Sequence, residues 1–322
     1  MFLNSLYKFI GNRISPAGAH ARLSILNYHR VLAERDLLFP GEVTSDSFDA
    51  QMFRLRAAFN VLPLFEAAER LKEGTLPARA VCITFDDGYA DNFTIALPIL
   101  QRHGLAATFF IATAYLNGGR MFNDTVIEAI RHAQSGKLDL TALGLGQHDL
   151  FTLKDRARSI NHVLSAVKYL PVDERETIVG GLCELARCSS LPDNLMMTND
   201  QIKSLCRAGM EIGAHTARHP ILAGLDAVAV KQEIMAGKQF LEEVTGTQIR
   251  LFAYPNGKPG VDYLPEQVAI VRELGFAAAV STQNGAASQF SDPFQLPRFT
   301  PWQTNLHYFV PELLKNLRNS GE

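Results

Sequence analysis

An apolar run, Ala80-Val81-Cys82-Ile83, leads directly into Thr84-Phe85-Asp86-Asp87-Gly88. A short continuous apolar run reads as a strand buried on both faces. Two adjacent carboxylates then sit where that strand ends, and the glycine lets the backbone turn sharply. Burying a carboxylate pair is costly unless a cation or a proton compensates it. The stretch therefore calls for a cation, and for further ligands elsewhere in the chain. Taken alone, Asp86-Asp87-Gly88 is equally a turn signal.

A second stretch supplies such ligands. Ala214-His215-Thr216-Ala217-Arg218-His219-Pro220 follows another strand-like run, Met210-Glu211-Ile212-Gly213. Histidines four apart are expected on one side of a helical turn, a spacing suited to chelating one metal. Asp87, His215 and His219 together offer one oxygen and two nitrogens and leave a position open for water. That is the arrangement of a catalytic metal site. No glutamate follows His215, so the metalloprotease helix motif is excluded.

The two motifs together, Thr84-Phe85-Asp86-Asp87-Gly88 and His215-Thr216-x-x-His219, resemble those of the polysaccharide deacetylase family (the NodB-homology domain, carbohydrate esterase family 4). The resemblance runs from about Leu23 to Arg298. It implies an α/β fold, a distorted (β/α)7-type barrel, and a metal-dependent hydrolase that removes acetyl groups from N-acetylated sugars of a poly- or oligosaccharide, in exopolysaccharide biosynthesis. It also implies roles: Asp87 as metal ligand with His215 and His219, and Asp86 as general base. A divalent metal is expected, zinc first; nickel, cobalt or iron would also suit two imidazoles and a carboxylate.

Composition agrees with one large α/β domain. The chain has 322 residues, 47% hydrophobic and 20% charged, with a net charge of −2. That is enough for a full core plus an insertion. The near-neutral balance argues against a nucleic-acid partner. The four cysteines, Cys82, Cys183, Cys188 and Cys206, form no C-x-x-C pair, so a disulfide framework is not expected.

Strand-like and helix-like segments alternate from Leu23 to the C-terminus, giving about seven strands. The helix from about Asn92 to His103 contains Pro98, which predicts a kink or a late start. Between Ala112 and Met197 the alternation lapses, and only helical patterns remain. The domain division is thus 1–22 as an N-terminal segment and 23–322 as the barrel, with a helical insertion at about 112–197. Residues 1–15 have the spacing of a short amphipathic helix. It is read as packed on the domain, with peripheral contact to a membrane surface as the alternative. Lys8 interrupts its apolar core, which makes it a poor signal peptide. The expected location is the cytoplasm or the cytoplasmic face of a membrane.

Three further assignments follow from the family likeness. Tyr254-Pro255-Asn256-Gly257 resembles an arginine-x-proline motif beside the site, but Ala253 stands where the arginine would be. Arg298 is the nearest substitute to orient Asp86. Tyr254 and Asn256 are the expected substrate and oxyanion contacts, with the backbone N–H near Asn256 as donor. The family's C-terminal leucine-x-leucine-x-histidine motif is missing. His29, closing the first strand after Tyr28, resembles the histidine of exopolysaccharide deacetylases with an N-terminal Tyr-His motif. It is the expected general acid, with His307 as the alternative. An ordinary role for each of these residues, surface arginine or structural histidine, is the competing reading.

Overall fold

The computed structural model describes residues 2–188, 190–301 and 306–319. Met1 of the N-terminal segment and Asn305, which precedes Leu306 and His307, lie outside them. The strands, in chain order, are β1 (Leu23–Tyr28), β2 (Asn60–Val61), β3 (Ala80–Phe85), β4 (Thr108–Ile111), β5 (Lys137–Leu140), β6 (Gly146–Asp149), β7 (Glu211–Ala214), β8 (Leu251–Ala253), β9 (Ala278–Asn284) and β10 (Leu296–Arg298). The helices are α1 (Phe2–Ile14), α2 (Ser45–Ala58), α3 (Leu64–Glu73), α4 (Leu97–His103), α5 (Phe122–His132), α6 (Leu153–Val167), α7 (Val172–Leu185), α8 (Asn199–Arg207), α9 (Ala227–Thr245), α10 (Pro265–Glu273) and α11 (Leu306–Asn316).

Seven strands run β1-β3-β4-β7-β8-β9-β10, each parallel to its neighbour. The ends of that row meet. Asn27 N–H donates to Phe299 O at 3.0 Å, and Phe299 N–H donates to Ile25 O at 2.7 Å. The sheet therefore closes into the expected seven-stranded barrel, with β2 as a short addition beside β3.

Side chains alternate across each strand. Leu23 and Ile25 of β1, Ala80 and Cys82 of β3, Phe110 of β4 and Val280 of β9 fill the barrel. Leu26, Val81, Ile83, Phe85 and Phe109 face outward into a larger cluster shared with the surrounding helices. Leu64, Ala67 and Leu71 of α3 belong to the inner cluster and close one end of the barrel. Glu211, at the start of β7, holds α3 there by accepting from Leu64 N–H at 2.7 Å and Phe65 N–H at 3.2 Å. The C-terminal strand ends open at the other end, where barrel enzymes place their catalytic groups.

Pro98 marks a late start. A wide turn at Asn92–Ala96 precedes α4, with Pro98 in its first turn. Helix α8 is capped by Thr198, which accepts from Gln201 N–H while the Gln201 side chain returns the bond.

The 112–197 region, expected to be mainly helical, also holds strands where the sequence shows only helical patterns. Besides α5, α6 and α7 it holds an antiparallel hairpin of β5 and β6, with Leu138 opposite His148. Only four residues of alternation lie on each strand, too few to stand out beside the helical periodicities. The region has its own core, including Val126, Ile130, Leu140, Ile160 and Leu182.

Helix α1 packs across the closed end of the barrel. A Cβ on Gly11 would lie 2.6 Å from the Arg79 side chain, so glycine is what allows this approach. Tyr7, Ile10 and Ile14 face the core, while Leu3, Leu6 and Phe9 are exposed. Among the described residues no helix is long and apolar enough to cross a membrane.

Candidate active site

The site forms where β1, β3, β7, β8 and β10 end. Asp86 continues the inward parity of Ala80, Cys82 and Thr84. Asp87 then turns in the left-handed region at φ 77°, followed by Gly88 at φ 93°. A Cβ on Gly88 would press on Ile111 Cγ2 at 3.0 Å, so glycine suits the position sterically as well. This turn directs the two neighbouring carboxylates to different partners.

Asp86 meets Arg298. Arg298 Nη1 donates to Asp86 Oδ1 and Nη2 to Oδ2, both at 2.7 Å. The fork is fixed from behind: Nε donates to Ser281 O at 2.8 Å, and Nη1 also reaches Thr84 Oγ1 at 3.3 Å. Both residues are buried. Burial opposes charge on Asp86, but the Arg298 guanidinium, with His215 nearby, outweighs it and holds the carboxyl below its ordinary range. Asp86 is thus ionised and oriented.

Asp87 meets the two histidines. Its Oδ1 lies 3.5 Å from His215 Nε2 and 3.4 Å from His219 Nε2, and the two Nε2 atoms are 3.1 Å apart. His215 Nδ1–H donates to Ala253 O at 2.7 Å, which turns its Nε2 lone pair toward Asp87 and His219. The departure at Ala253 therefore leaves a backbone carbonyl to orient His215, while the arginine comes from β10.

The histidines do not share a helical turn, contrary to expectation. They lie in a loop after β7, with Thr216 at φ 64° and His219 at φ 52°. Left-handed backbone at a β-branched residue is strained, and here the loop is clamped to hold it. Glu233 of α9 accepts from Ala217 N–H at 3.2 Å and Arg218 N–H at 2.8 Å, and Thr216 Oγ1 accepts from His219 N–H at 3.0 Å. Gly237 lets α9 approach, since a Cβ there would stand 2.6 Å from Thr216 O.

The donor set fits a divalent cation. Asp87 Oδ1 is buried with no hydrogen-bond partner, although it faces two imidazole nitrogens. Asp87, His215 and His219 form a cluster whose ligand atoms all lie within 4.8 Å of one another. Burial pushes His219 down to about 3, so it is a neutral, lone-pair-bearing imidazole near pH 7. A cation between these atoms compensates the buried carboxylate and separates two facing lone pairs.

A groove of about 320 Å³ opens over this cluster and reaches His29, Asp86, Asp87, His215, His219 and Asn256. His29 is exposed at its rim, where β1 ends. Asn256 adopts φ 57°, and its N–H makes no hydrogen bond among the described residues. Tyr254, expected as a substrate contact, does not line the groove. Its N–H is used by Val280 O, its ring stacks on Tyr263 at 3.8 Å between centroids, and its hydroxyl donates to Phe294 O. The inward-outward alternation after β8 sends Tyr254 to the outer core and Asn256 to the mouth. His307 is on the exposed face of α11 and does not line the groove.

Sequence reasoning missed the opposite wall. Asn161, Leu164, Ser165 and Lys168 line it from α6, and Phe122 and Asn123 from α5. The signal was present as an i, i+3, i+4, i+7 stripe on one face of α6. Its amphipathic apolar positions drew attention to the core face instead.

A parallel barrel with an arginine-paired carboxylate beside a carboxylate–imidazole cluster defines the deacetylase type of barrel hydrolase. The chain belongs to the polysaccharide deacetylase family, whose model matches residues 73–170 and 182–279, more than half of the chain. It is thus a hydrolase acting on the carbon–nitrogen bond of acetylamido groups. It is 23% identical over 280 residues to YxkH of Bacillus subtilis, which carries the name of a polysaccharide deacetylase. That match covers 86% of this chain and 71% of YxkH. Over 147 residues it is 28% identical to the poly-beta-1,6-N-acetyl-D-glucosamine N-deacetylase of Staphylococcus epidermidis, covering 42% of this chain and 51% of that one. The solved structure of the Streptococcus pyogenes deacetylase PplD in complex with acetate shares the fold, at a TM-score of 0.59 and 20% identity, over 92% of this chain and 98% of PplD.

Proposed function

We propose that the protein is a divalent-metal-dependent N-deacetylase of an exopolysaccharide, with Asp87, His215 and His219 as the metal ligands. The bidentate Asp86–Arg298 pair carries this reading, since it supplies an oriented, ionised base beside a site built for a cation. The likeness to the staphylococcal poly-beta-1,6-N-acetyl-D-glucosamine N-deacetylase supports an N-acetylglucosamine polymer as substrate. Two imidazoles and one carboxylate suit zinc, with nickel, cobalt and iron as close alternatives.

When bound, such a cation acidifies a water and polarises the acetamide carbonyl. The chain's own residues do the rest. Asp86 accepts the proton of the attacking water, and Arg298 keeps Asp86 ionised and aimed. As water oxygen bonds to the carbonyl carbon, the Asn256 N–H donates to the oxygen on which negative charge grows. His29, at the rim, protonates the departing amine as the carbon–nitrogen bond breaks. Acetate and a free amino sugar leave. The α6 wall, with Asn161, Ser165 and Lys168, holds the neighbouring sugars.

The exposed Leu3, Leu6 and Phe9 of α1, with Lys8 and Arg13 beside them, support peripheral contact with an anionic membrane surface. The reading of function is tested by acetate release from N-acetylglucosamine oligomers by the metal-loaded protein and by Asp86→Asn. Release by the wild type alone is expected.

A further inference from the structure

A second cavity, of about 460 Å³, lies beside the groove. The N-terminus of α7, with Arg175, Arg218 and Tyr169, lines it on one side, and Pro220 and Ile221, just after the ligand His219, on the other. The two cavities are lined by consecutive residues, Lys168 on the groove and Tyr169 on the second cavity.

Arg175 is the feature that marks this cavity. It is 2% exposed, and its Nε is buried with no hydrogen-bond partner. No carboxylate pairs with it among the described residues. Its guanidinium stacks 4.0 Å over the ring of Phe122, the same ring that lines the active-site groove. A buried guanidinium without a counter-ion is costly, and a single aromatic face offsets only part of that cost. Burial accordingly pushes Arg175 below its ordinary range.

Two further features have the same sign. Helix α7 spans 14 residues, and its N-cap is Pro171, which makes no side-chain cap hydrogen bond. Its first N–H groups therefore have no side-chain cap, at the segment 170–173 that lines the cavity, although Asp173 and Glu174 of the first turn offset part of the dipole. Arg218 adds a second guanidinium, ion-paired through Nε to Glu233 at 2.9 Å. The one carboxylate in the lining, Asp173, is almost fully exposed and sits 3.6 Å from Arg218, not beside Arg175. Tyr169 presents an exposed ring at the rim, the kind of flat apolar surface on which a sugar face packs.

We propose that this cavity is a subsite for an anionic substituent, a carboxylate or phosphate oxyanion, on a sugar next to the one being deacetylated. Arg175 and the α7 N-terminus bind the oxyanion, and Tyr169 receives the sugar ring. The preferred substrate is then an acidic N-acetylated glycan. This rests on the deacetylase reading for its place in the reaction, but the binding itself does not.

The test therefore has a binding arm and a turnover arm, both on metal-loaded protein. In the first, Asp86→Asn protein is titrated calorimetrically with three tetrasaccharides. One alternates N-acetylglucosamine with glucuronic acid, one is N-acetylglucosamine carrying phosphate groups, and one is neutral N-acetylglucosamine. An anionic probe is expected to bind at least about 10-fold more tightly than the neutral one, the scale of one charge-assisted hydrogen-bond set. Whether carboxylate or phosphate binds more tightly identifies the source of the oxyanion. Arg175→Gln should abolish the preference, and Arg175→Lys should restore part of it. If Arg175→Gln does not fold, Arg175→Lys and Tyr169→Ala carry the comparison. Equal binding of all three probes would overturn the subsite. In the second arm, the wild type should release acetate faster from the anionic probe that binds more tightly. Absence of acetate from every probe, with the binding preference intact, would count against the deacetylase reading and leave the subsite standing.

Discussion

Arg298 grips Asp86 with two hydrogen bonds of 2.7 Å across a separation of 212 residues. The last strand of the barrel thus fixes the orientation of a carboxylate at the end of the third. A lysine there keeps a positive charge but has no planar fork, so the carboxylate loses one of its two anchors. Arg298→Lys should lower kcat by about 100-fold, on the scale of general-base contributions, with metal content unchanged. Arg298→Ala leaves a buried carboxylate unpaired and should cost about 3–5 kcal/mol of stability. Steady-state kinetics, metal analysis and urea denaturation measure these three quantities.

The histidine loop depends on the closeness of α9. Gly237→Ala brings a Cβ to within 2.6 Å of a backbone oxygen, Thr216 O, which has no flexible end to move. The loop must shift, and with it His215 and His219. Weaker metal binding by at least about 10-fold is expected, on the scale of lost outer-shell support, from competition with a chelator. Affinity equal to the wild type would show that the loop does not rely on this contact.

Asp124 gives a pH signature. It is buried beneath Tyr89, whose hydroxyl donates to it at 3.0 Å, and burial pushes its carboxyl up to about 7 against partial relief from Arg30 and Tyr89. The folded state therefore holds the proton more tightly than the unfolded one. That contribution to stability is fully present at acidic pH, below the ordinary aspartate range, and is lost as pH rises toward about 7. Asp124→Asn removes the titration. The metal-free variant should gain a few kcal/mol over the wild type at pH 8 and show a flatter dependence between pH 4 and pH 7, on the scale of about 1.4 kcal/mol per pH unit. Parallel stability curves for the two proteins would contradict this.

Helix α1 is apolar toward the core and again toward solvent, where Leu3, Leu6 and Phe9 lie exposed. Flotation with anionic phospholipid vesicles should carry the protein upward. Replacing Leu6 and Phe9 with serine should leave it at the bottom without changing its melting temperature. Sedimentation of the wild type unaffected by lipid would remove the membrane from the picture.

Much of this was legible in the sequence, for reasons visible in particular residues. Asp86, Asp87 and His215 sit directly after apolar strands, so strand-end position marks them locally, and His219 is marked by its spacing from His215. Arg298 was found through a gap, the alanine at position 253, and the bond it makes across the barrel carries no local signal. Tyr254 shows the limit of motif reading: it adjoins the site in sequence, yet strand alternation turns its ring away. The i, i+4 spacing of His215 and His219 reads as helical, but two left-handed residues in a tight turn produce the same spacing. The α6 wall and the unpaired Arg175 stayed invisible because both depend on how the insertion folds back over the barrel.

The most direct measurement is acetate release from N-acetylglucosamine oligomers by metal-loaded wild type and Asp86→Asn, with bound metal counted in the same samples. Acetate from the wild type, almost none from Asp86→Asn, and equal metal in both is the expected result. Equal acetate from the two proteins would contradict the assignment of Asp86 as the base. Loss of metal together with activity would contradict the separation of base from ligand.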